Sequence, residues 1–335
     1  MPILRGKAQI AIKQEAVAGT FETLAAADAL MTVGTPEFEA DIAMTPRNGM
    51  TGTLSPRGFV PGTQSARIRF AMRMGGSYNH STGAIAAPTA GTEAPWHVPM
   101  LGCGLANTIS GSNPNEQNAY IPSDTTISDE TSGACVSVGF YLDGKLYKIH
   151  GAQGNCRMTF NLGEPVLAEF DFLGCYNAPT DTALLTSVVY PTFVEPPFLG
   201  ASLSLIGSYT TAKVRSFTFD LGNTLALRPY PNTSTGFYTA QITARNAVGT
   251  IDPEEVLAAT ANFWSQLTTP TLGAITTGTF PSGGTNYNML NLNVPNAQYT
   301  KVALGDRDGI ANSAIEFAAV ANSAAGLDEH TLTQT

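Results

Sequence analysis

Strict alternation of apolar and polar residues runs through the chain and predicts β-strands rather than long helices. From Ser65 to Met74, Ala66, Ile68, Phe70, Met72 and Met74 fall on one face, with Arg67, Arg69 and Arg73 on the other. The segment 134–174 repeats this pattern. Val136, Val138, Phe140 and Leu142 share a face, and Asp143-Gly144 then predicts a two-residue hairpin turn, because both positions must adopt positive φ. Lys145–His150 returns as a strand, and Cys156, Met158, Phe160 and Leu162 line the next one. Gly163-Glu164-Pro165 turns the chain, and Val166, Ala168, Phe170 and Phe172 line another face. The expectation is an antiparallel meander with one buried side. Ala8–Ile12 alternates over a shorter run, and Gly75–Thr92 has no period and reads as a loop.

Two short helices interrupt the strands. One is predicted around Pro95–Cys103, with Pro95 near its first turn and Gly102 and Gly104 at its end. The other is predicted to start at Asp252 as cap, with Pro253 in the first position and Glu255 completing a capping box. Its Val256, Leu257, Thr260, Trp264 and Leu267 fall on one side at helical spacing.

The second half echoes the first in order. Thr218-Phe219-Asp220 follows Glu37-Phe38-Glu39 at an offset of 181 (219 − 38), and the strand around Ile242 follows that around Ile68 at 174 (242 − 68). Trp264 follows Trp96 at 168 (264 − 96), and Ile315-Glu316-Phe317 follows Ala168-Glu169-Phe170 at 147 (315 − 168). With Pro191–Pro197 as a linker, this predicts an N-terminal arm over 1–34, a first module over 35–190, a linker over 191–200 and a shorter second module over 201–335.

Composition narrows the function. Only 13% of the 335 residues are charged, against roughly 25% in an ordinary soluble domain. The 33 glycines and 21 prolines disfavour a bundle or coiled coil, and 43% apolar content disfavours disorder. A surface so poor in charge suits a subunit packed among neighbours. The net charge of −9 argues against a nucleic-acid binder, which needs clustered Lys and Arg. No secretory signal is visible at the N-terminus. The longest apolar candidate, Phe198–Ile206, is about half the ~18 residues a bilayer demands. Cys103, Cys135, Cys156 and Cys175 lie far apart with no C-x-x-C and read as reduced core residues, and the sequons at Asn79 and Asn232 are then incidental.

Catalytic patterns are scarce, so no catalytic, metal or cofactor residue is assigned and no enzyme is expected. His80, His97, His150 and His330 have no metal-type spacing. Gly139–Lys145 has phosphate-loop spacing, but Leu146 stands where Ser or Thr belongs and strand alternation resumes at once. The face of Arg67, Arg69 and Arg73 reads as a polar strand face pairing with carboxylates of a neighbouring strand or subunit.

Several motifs then fall into a familiar order. Gly91-Thr92-Glu93-Ala94-Pro95-Trp96 precedes Leu101-Gly102-Cys103-Gly104, and Tyr141-Leu142-Asp143-Gly144-Lys145-Leu146-Tyr147-Lys148-Ile149-His150-Gly151-Ala152 follows. Next come Gly163-Glu164-Pro165, Glu169-Phe170-Asp171-Phe172-Leu173-Gly174 and Asp220-Leu221-Gly222-Asn223. Together with Lys13–Leu30, this order resembles the major tail tube proteins of long-tailed, siphovirus-type bacteriophages. The resemblance implies a mainly β module, a sandwich or open barrel with a short flanking helix and long loops, and the internal echo makes two such modules in tandem the expectation. It further implies copies joined edge to edge into rings, and rings stacked into the tail tube, the channel for genome delivery. The implied localisation is the virion tail, assembled in the host cytoplasm, without cofactor or membrane. The implied partners are further copies of the chain, the tape measure protein, the tail terminator and distal tail proteins, while DNA crosses the lumen without specific binding.

Within that picture Glu169 and Asp171 are lumen-facing candidates, and they read equally as an ordinary solvated face. The loop Thr45–Gln64, with Arg47, Asn48, Met50, Arg57 and Phe59, and its counterpart Asn223–Gly236, with Tyr230 and Asn232, are candidates for ring-to-ring stacking. Two modules per chain favour a trimer with pseudo-sixfold rings, and one elaborated module favours a hexamer. The inner tube of a contractile tail, another phage structural or decoration protein and a bacterial surface β protein are the alternatives.

Overall fold

The computed structural model describes residues 3–47, 49–50, 52–53, 55–112, 115–125 and 135–335. Four strands lead the chain: β1 (Ala8–Gln14), β2 (Ala29–Leu30), β3 (Val33–Pro46) and β4 (Phe59–Arg73). Helix α1 (His97–Gly102) is followed by β5 (Leu105–Ser110), β6 (Gln117–Pro122), β7 (Val136–Leu142), β8 (Lys145–Asn161) and β9 (Leu167–Asp181). The second half holds β10 (Val214–Asp220), β11 (Asn223–Pro229), β12 (Phe237–Arg245) and β13 (Val248–Pro253), then helix α2 (Phe263–Thr268). It ends with β14 (Gly273–Thr276), β15 (Leu290–Arg307), β16 (Ile310–Ala319) and β17 (Thr331–Gln334). The fold is mainly β.

All of these strands except β11 and β12 join one antiparallel sheet. The order β3-β4-β9-β8 continues through β10-β13-β16-β15. Strand β8 makes this continuity possible because it is long enough to hold two neighbours on one edge. Its first part pairs β7 from Lys145 to Ala152, its last part pairs β10 from Arg157 to Asn161, and its other edge pairs β9. The sequence pattern read Lys145–His150 and the Cys156 strand as separate. They are one strand of 17 residues, with a register slip between His150 and Gln153 where Gly151 takes φ +56°. Leu162, expected on the buried face, lies beyond the last ladder pair and is exposed.

The faces otherwise follow the alternation. Ile68, Phe70, Met72, Val138, Met158, Phe160, Ala168, Phe170 and Phe172 are buried in one core that takes side chains from both halves. Phe160 is its hub, with edge-on ring contacts to Phe198, Phe217 and Phe280. Each such ring contributes about 2–3 kcal/mol by leaving water. The Asp143-Gly144 turn forms with φ +42° and +98° and closes the β7–β8 hairpin, so the phosphate-loop spacing is a strand turn. All four cysteines are free and buried. The Pro-rich segment touches both halves: Thr192 N–H donates to Gly83 O at 2.9 Å, and Asn288 Nδ2 donates to Val194 O.

The second predicted helix is displaced. Asp252 and Pro253 belong to β13, and the helix starts at Phe263, where the Asn262 side chain accepts from Ser265 N–H. The Asp252 carboxylate is occupied by the Arg215 and Ser216 amides, and that of Glu255 by the Ser313 hydroxyl, so neither is free to cap. Leu257 and Trp264 are exposed, and Phe263 fills the core position instead. Helix α1 forms as expected, with Trp96 fully buried and its indole N–H donating to Gly75 O at 2.7 Å.

Candidate assembly surface

The outward face of β3-β4-β9-β8 carries the polar half of each alternating strand. Arg67 and Arg69 on β4 stand opposite Leu173 and Asp171 on β9, and opposite Glu39 and Glu37 on β3. Arg67 Nη1 lies 2.8 Å from Asp171 Oδ2, Arg69 Nε lies 3.3 Å from the same oxygen, and Arg69 Nη1 reaches Glu39 Oε2 at 3.2 Å. The adjacent Asp171 holds the Arg69 guanidinium above its ordinary range, with burial opposing and Glu39 assisting. The arginine face thus pairs with carboxylates of neighbouring strands within the chain. These pairs are partly exposed, so each is worth at most about 1 kcal/mol. Glu169 faces Ala71 on β4 and Arg157 on β8.

The same face continues into β10-β13-β16-β15. Asp220 accepts from Asn155 Nδ2 at 2.7 Å, Arg307 contacts Asp252 at 3.4 Å and Glu254 at 3.1 Å, and Lys301 contacts Glu316 at 2.6 Å. Asp220, Asp252, Glu316, Lys301 and Arg307 were missed by sequence reasoning. The alternation flags them as polar positions, but only the strand order places them on the same face as Asp171 and Arg69.

Both ends of this eight-strand run are open. Among the described residues β3 pairs only β4, and its residues Glu37, Glu39 and Asp41 are exposed. On β15 the edge opposite β16 is covered by β14 only over Asn293–Ala297, and residues 299–307 are unpaired there among the described residues. Unpaired strand edges are templates for another chain.

The stacking candidates lie at two hairpin tips. Arg47, Met50, Arg57 and Phe59 are exposed at the end of β3–β4, while Asn48 lies outside the described residues. Tyr230 and Asn232 lie at the tip of β11–β12, where Tyr230 packs edge-on against Tyr238 at 5.7 Å and accepts from Asn232 Nδ2. The shoulders of the two hairpins meet, since Gln64 N–H donates to Thr235 O at 2.9 Å.

Nothing on this surface resembles a reaction centre. Among the described residues no three His, Cys, Asp or Glu side chains are placed to hold a metal. Two histidines are spent on packing: His97 Nδ1 meets Tyr120 Oη at 2.9 Å, and Asn177 Nδ2 meets His150 Nδ1 at 2.6 Å. His330 is buried, which lowers its pKa to about 3. Burial pushes the Cys103 and Cys156 thiols well up, away from nucleophilic thiolates. No described helix is long and apolar enough to cross a membrane.

A family model described as phage tail tube protein matches residues 6–320, nearly the whole chain. The chain belongs to the phage tail tube protein family. No curated protein matches it. Members of this family are structural subunits rather than enzymes, they assemble with their own copies into a tube, and they are components of the virion tail.

Proposed function

We propose that this tail tube protein consists of two tandem modules, 35–190 and 201–335, and that three chains close a pseudo-sixfold ring that stacks into the tube. The observation that carries this reading is a shared pairing register. In the first half Phe38 pairs Ile68, Ile68 pairs Phe172, and Phe170 pairs Cys156. In the second half Phe219 pairs Gly249, Gly249 pairs Phe317, and Ile315 pairs Val302. Strands β3, β4, β9 and β8 correspond in turn to β10, β13, β16 and β15 over the stretches between their register slips. The offset is 181 on the first two strands (219 − 38 and 249 − 68), 145 on the third (317 − 172) and 146 on the fourth (302 − 156). Ile68 therefore corresponds to Gly249 rather than Ile242, and Asp171 to Glu316.

In this ring the polar face lines the lumen, with Glu169 and Asp171 among its carboxylates. The ion pairs of Asp171 with Arg67 and Arg69 leave a surface of modest acidity, over which DNA slides without a continuous cationic track to hold it. The exposed tip around Arg47, Met50, Arg57 and Phe59 and the tip at Tyr230 and Asn232 bridge to the next ring. The tape measure protein, tail terminator and distal tail proteins are the remaining partners. Averaged electron micrographs of purified tubes, with native mass spectrometry of released rings, test the reading. Rings of three chains with pseudo-sixfold outline are expected, and rings of six chains overturn it.

A further inference from the structure

The chain contains, inside itself, a junction between two of its four-stranded runs. The last strand of the first run, β8, meets the first strand of the second, β10. Arg157 stands opposite Asp220, Met158 opposite Phe219 and Thr159 opposite Thr218. The strand that corresponds to β8 is β15, and its matching edge is open beyond Ala297. The strand that corresponds to β10 is β3, whose outer edge is also open. Among the described residues each chain thus has one free edge of each kind, which is the requirement for a head-to-tail, ring-closing contact.

We propose that β15 of one copy pairs antiparallel with β3 of a second copy of this chain, in the register that β8 and β10 use, so that Leu304 lies opposite the partner's Phe38 and Ala303 opposite the partner's Glu39. This rests on the tandem-module reading above. The transfer uses the same offsets, 146 for β15 (304 − 158) and 181 for β3 (219 − 38). The β8–β10 pairs map onto Ala303–Arg307 against the partner's Thr35–Glu39, and continuing that register by two residues along β3 sets Lys301 opposite the partner's Asp41, before the slip at Ile42.

The side chains fit this pairing. Leu304 is 66% exposed although it points to the core-facing side, whereas its counterpart Met158 is fully buried beside Phe219. Phe38 is only half-buried, whereas its counterpart Phe219 is fully buried. The joint brings these two incompletely covered apolar groups together, as Met158 and Phe219 already are within the chain. On the outer face it sets Lys301 opposite the partner's Asp41. Charge also selects the partner edge. The β3 edge carries Glu37, Glu39 and Asp41, so two β3 edges repel each other, while the β15 edge presents the exposed Lys301, which already pairs with Glu316 of its own chain and is shared with the partner's Asp41 in this joint.

Cysteine pairs in the full-length protein test the register, since the four native thiols are buried. Tubes of A303C/E39C are expected to oxidise to a ladder of linked chains on non-reducing gels, while dilute unassembled subunits stay unlinked. The slipped pairs A303C/E37C and A303C/T35C are expected to link at least about tenfold more slowly, because they lie two and four residues, roughly 7 and 13 Å, out of register. Linkage of a slipped pair instead, or none in well-formed tubes, overturns the register and leaves the tube reading intact. Failure of the unaltered protein to form tubes would instead remove the reading on which the register rests. If the cysteine variants do not assemble, a charge exchange decides: K301E and D41K alone are expected to cut tube yield about tenfold, and the double variant to restore it. A double variant as poor as the singles refutes the pairing.

Discussion

Two long hairpins of this molecule obey one register and end in opposite surroundings. In the first, β3 and β4 pair from Val33 to Pro46 and run on past the sheet into solvent, where Met44, Phe59 and Val60 are exposed. In the second, β10 and β13 form the base and β11 and β12 the distal part, with the same pairing carried across the break. There the distal part leaves the sheet and lies over β8 and β9, burying Ala240 and Ile242. The difference sits at one residue. Asp41 pairs with Ser65 in the first hairpin, whereas the equivalent position in the second is Gly222, at φ +63° with its amide on Asp220 Oδ1. A Cβ there would meet Asn246 O at 2.0 Å. Asn223 then ties the bend down, donating to Cys103 O at 2.7 Å and Gly154 O at 3.0 Å. A glycine bend gives one hairpin an intramolecular seat, while the other projects into solvent.

The contrast can be broken at its hinge. Gly222→Val forces a branched side chain into a left-handed backbone and against a carbonyl, and is expected to cost more than about 3 kcal/mol in urea melts. A valine variant as stable as the parent would mean that the bend is not set by Gly222.

The seat beneath the second hairpin holds a buried carboxylate. Glu15 is buried next to Ser137, and accepts from Ser137 Oγ, Gly151 N–H and Gly19 N–H, while Gly19 and Gly151 both abut Tyr238. Burial outweighs these donors and raises its pKa from 4.5 to about 7. Because the folded pKa is the higher one, its contribution is complete below pH 4.5 and is lost as the pH rises through 7. The loss is on the order of 3 kcal/mol. Glu15→Gln is expected to flatten the fall in melting temperature between pH 5 and pH 8, and an unchanged slope would exclude Glu15 as its source.

Smaller changes sharpen the comparison. Ile242→Ala removes a buried side chain from the seated hairpin and is expected to cost about 2–3 kcal/mol. Gln153→Ala strips the acceptor from Ile242 N–H, 2.6 Å away in a buried setting, and is expected to cost about 1–2 kcal/mol. Met44→Ala on the projecting hairpin is expected to change the stability of the free subunit by less than about 0.5 kcal/mol, while lowering the yield of tubes. Equal costs for Ile242→Ala and Met44→Ala in the free subunit would show that both hairpins are seated.

Much of the sheet could be read from the sequence, because alternation fixes each strand's two faces before any partner is known. Ile68, Phe70, Met158 and Phe172 are buried where the pattern puts them, and Asp143-Gly144 turns where positive φ is required. The arginine face was legible too, as a polar face in need of carboxylates. The second helix was misread because Asp252, Pro253 and Glu255 make a good local cap. Long-range partners claimed their carboxylates: the amides of Arg215 and Ser216, and the Ser313 hydroxyl. Local signals lose wherever a distant strand can satisfy the same polar groups.

The sequence by itself determined the strand faces, the first helix, the Asp-Gly turn and the motif order that identifies the family. Those depend on neighbours within a few residues, whose geometry the backbone fixes. Only the tertiary structure decided that β8 is one strand with two partners on one edge, that β3 and β15 keep free edges, and that Gly222 folds one hairpin back while its counterpart projects. Which edge remains open depends on every other strand having found its place, since backbone donors and acceptors pair across the whole sheet. No window of sequence contains that information.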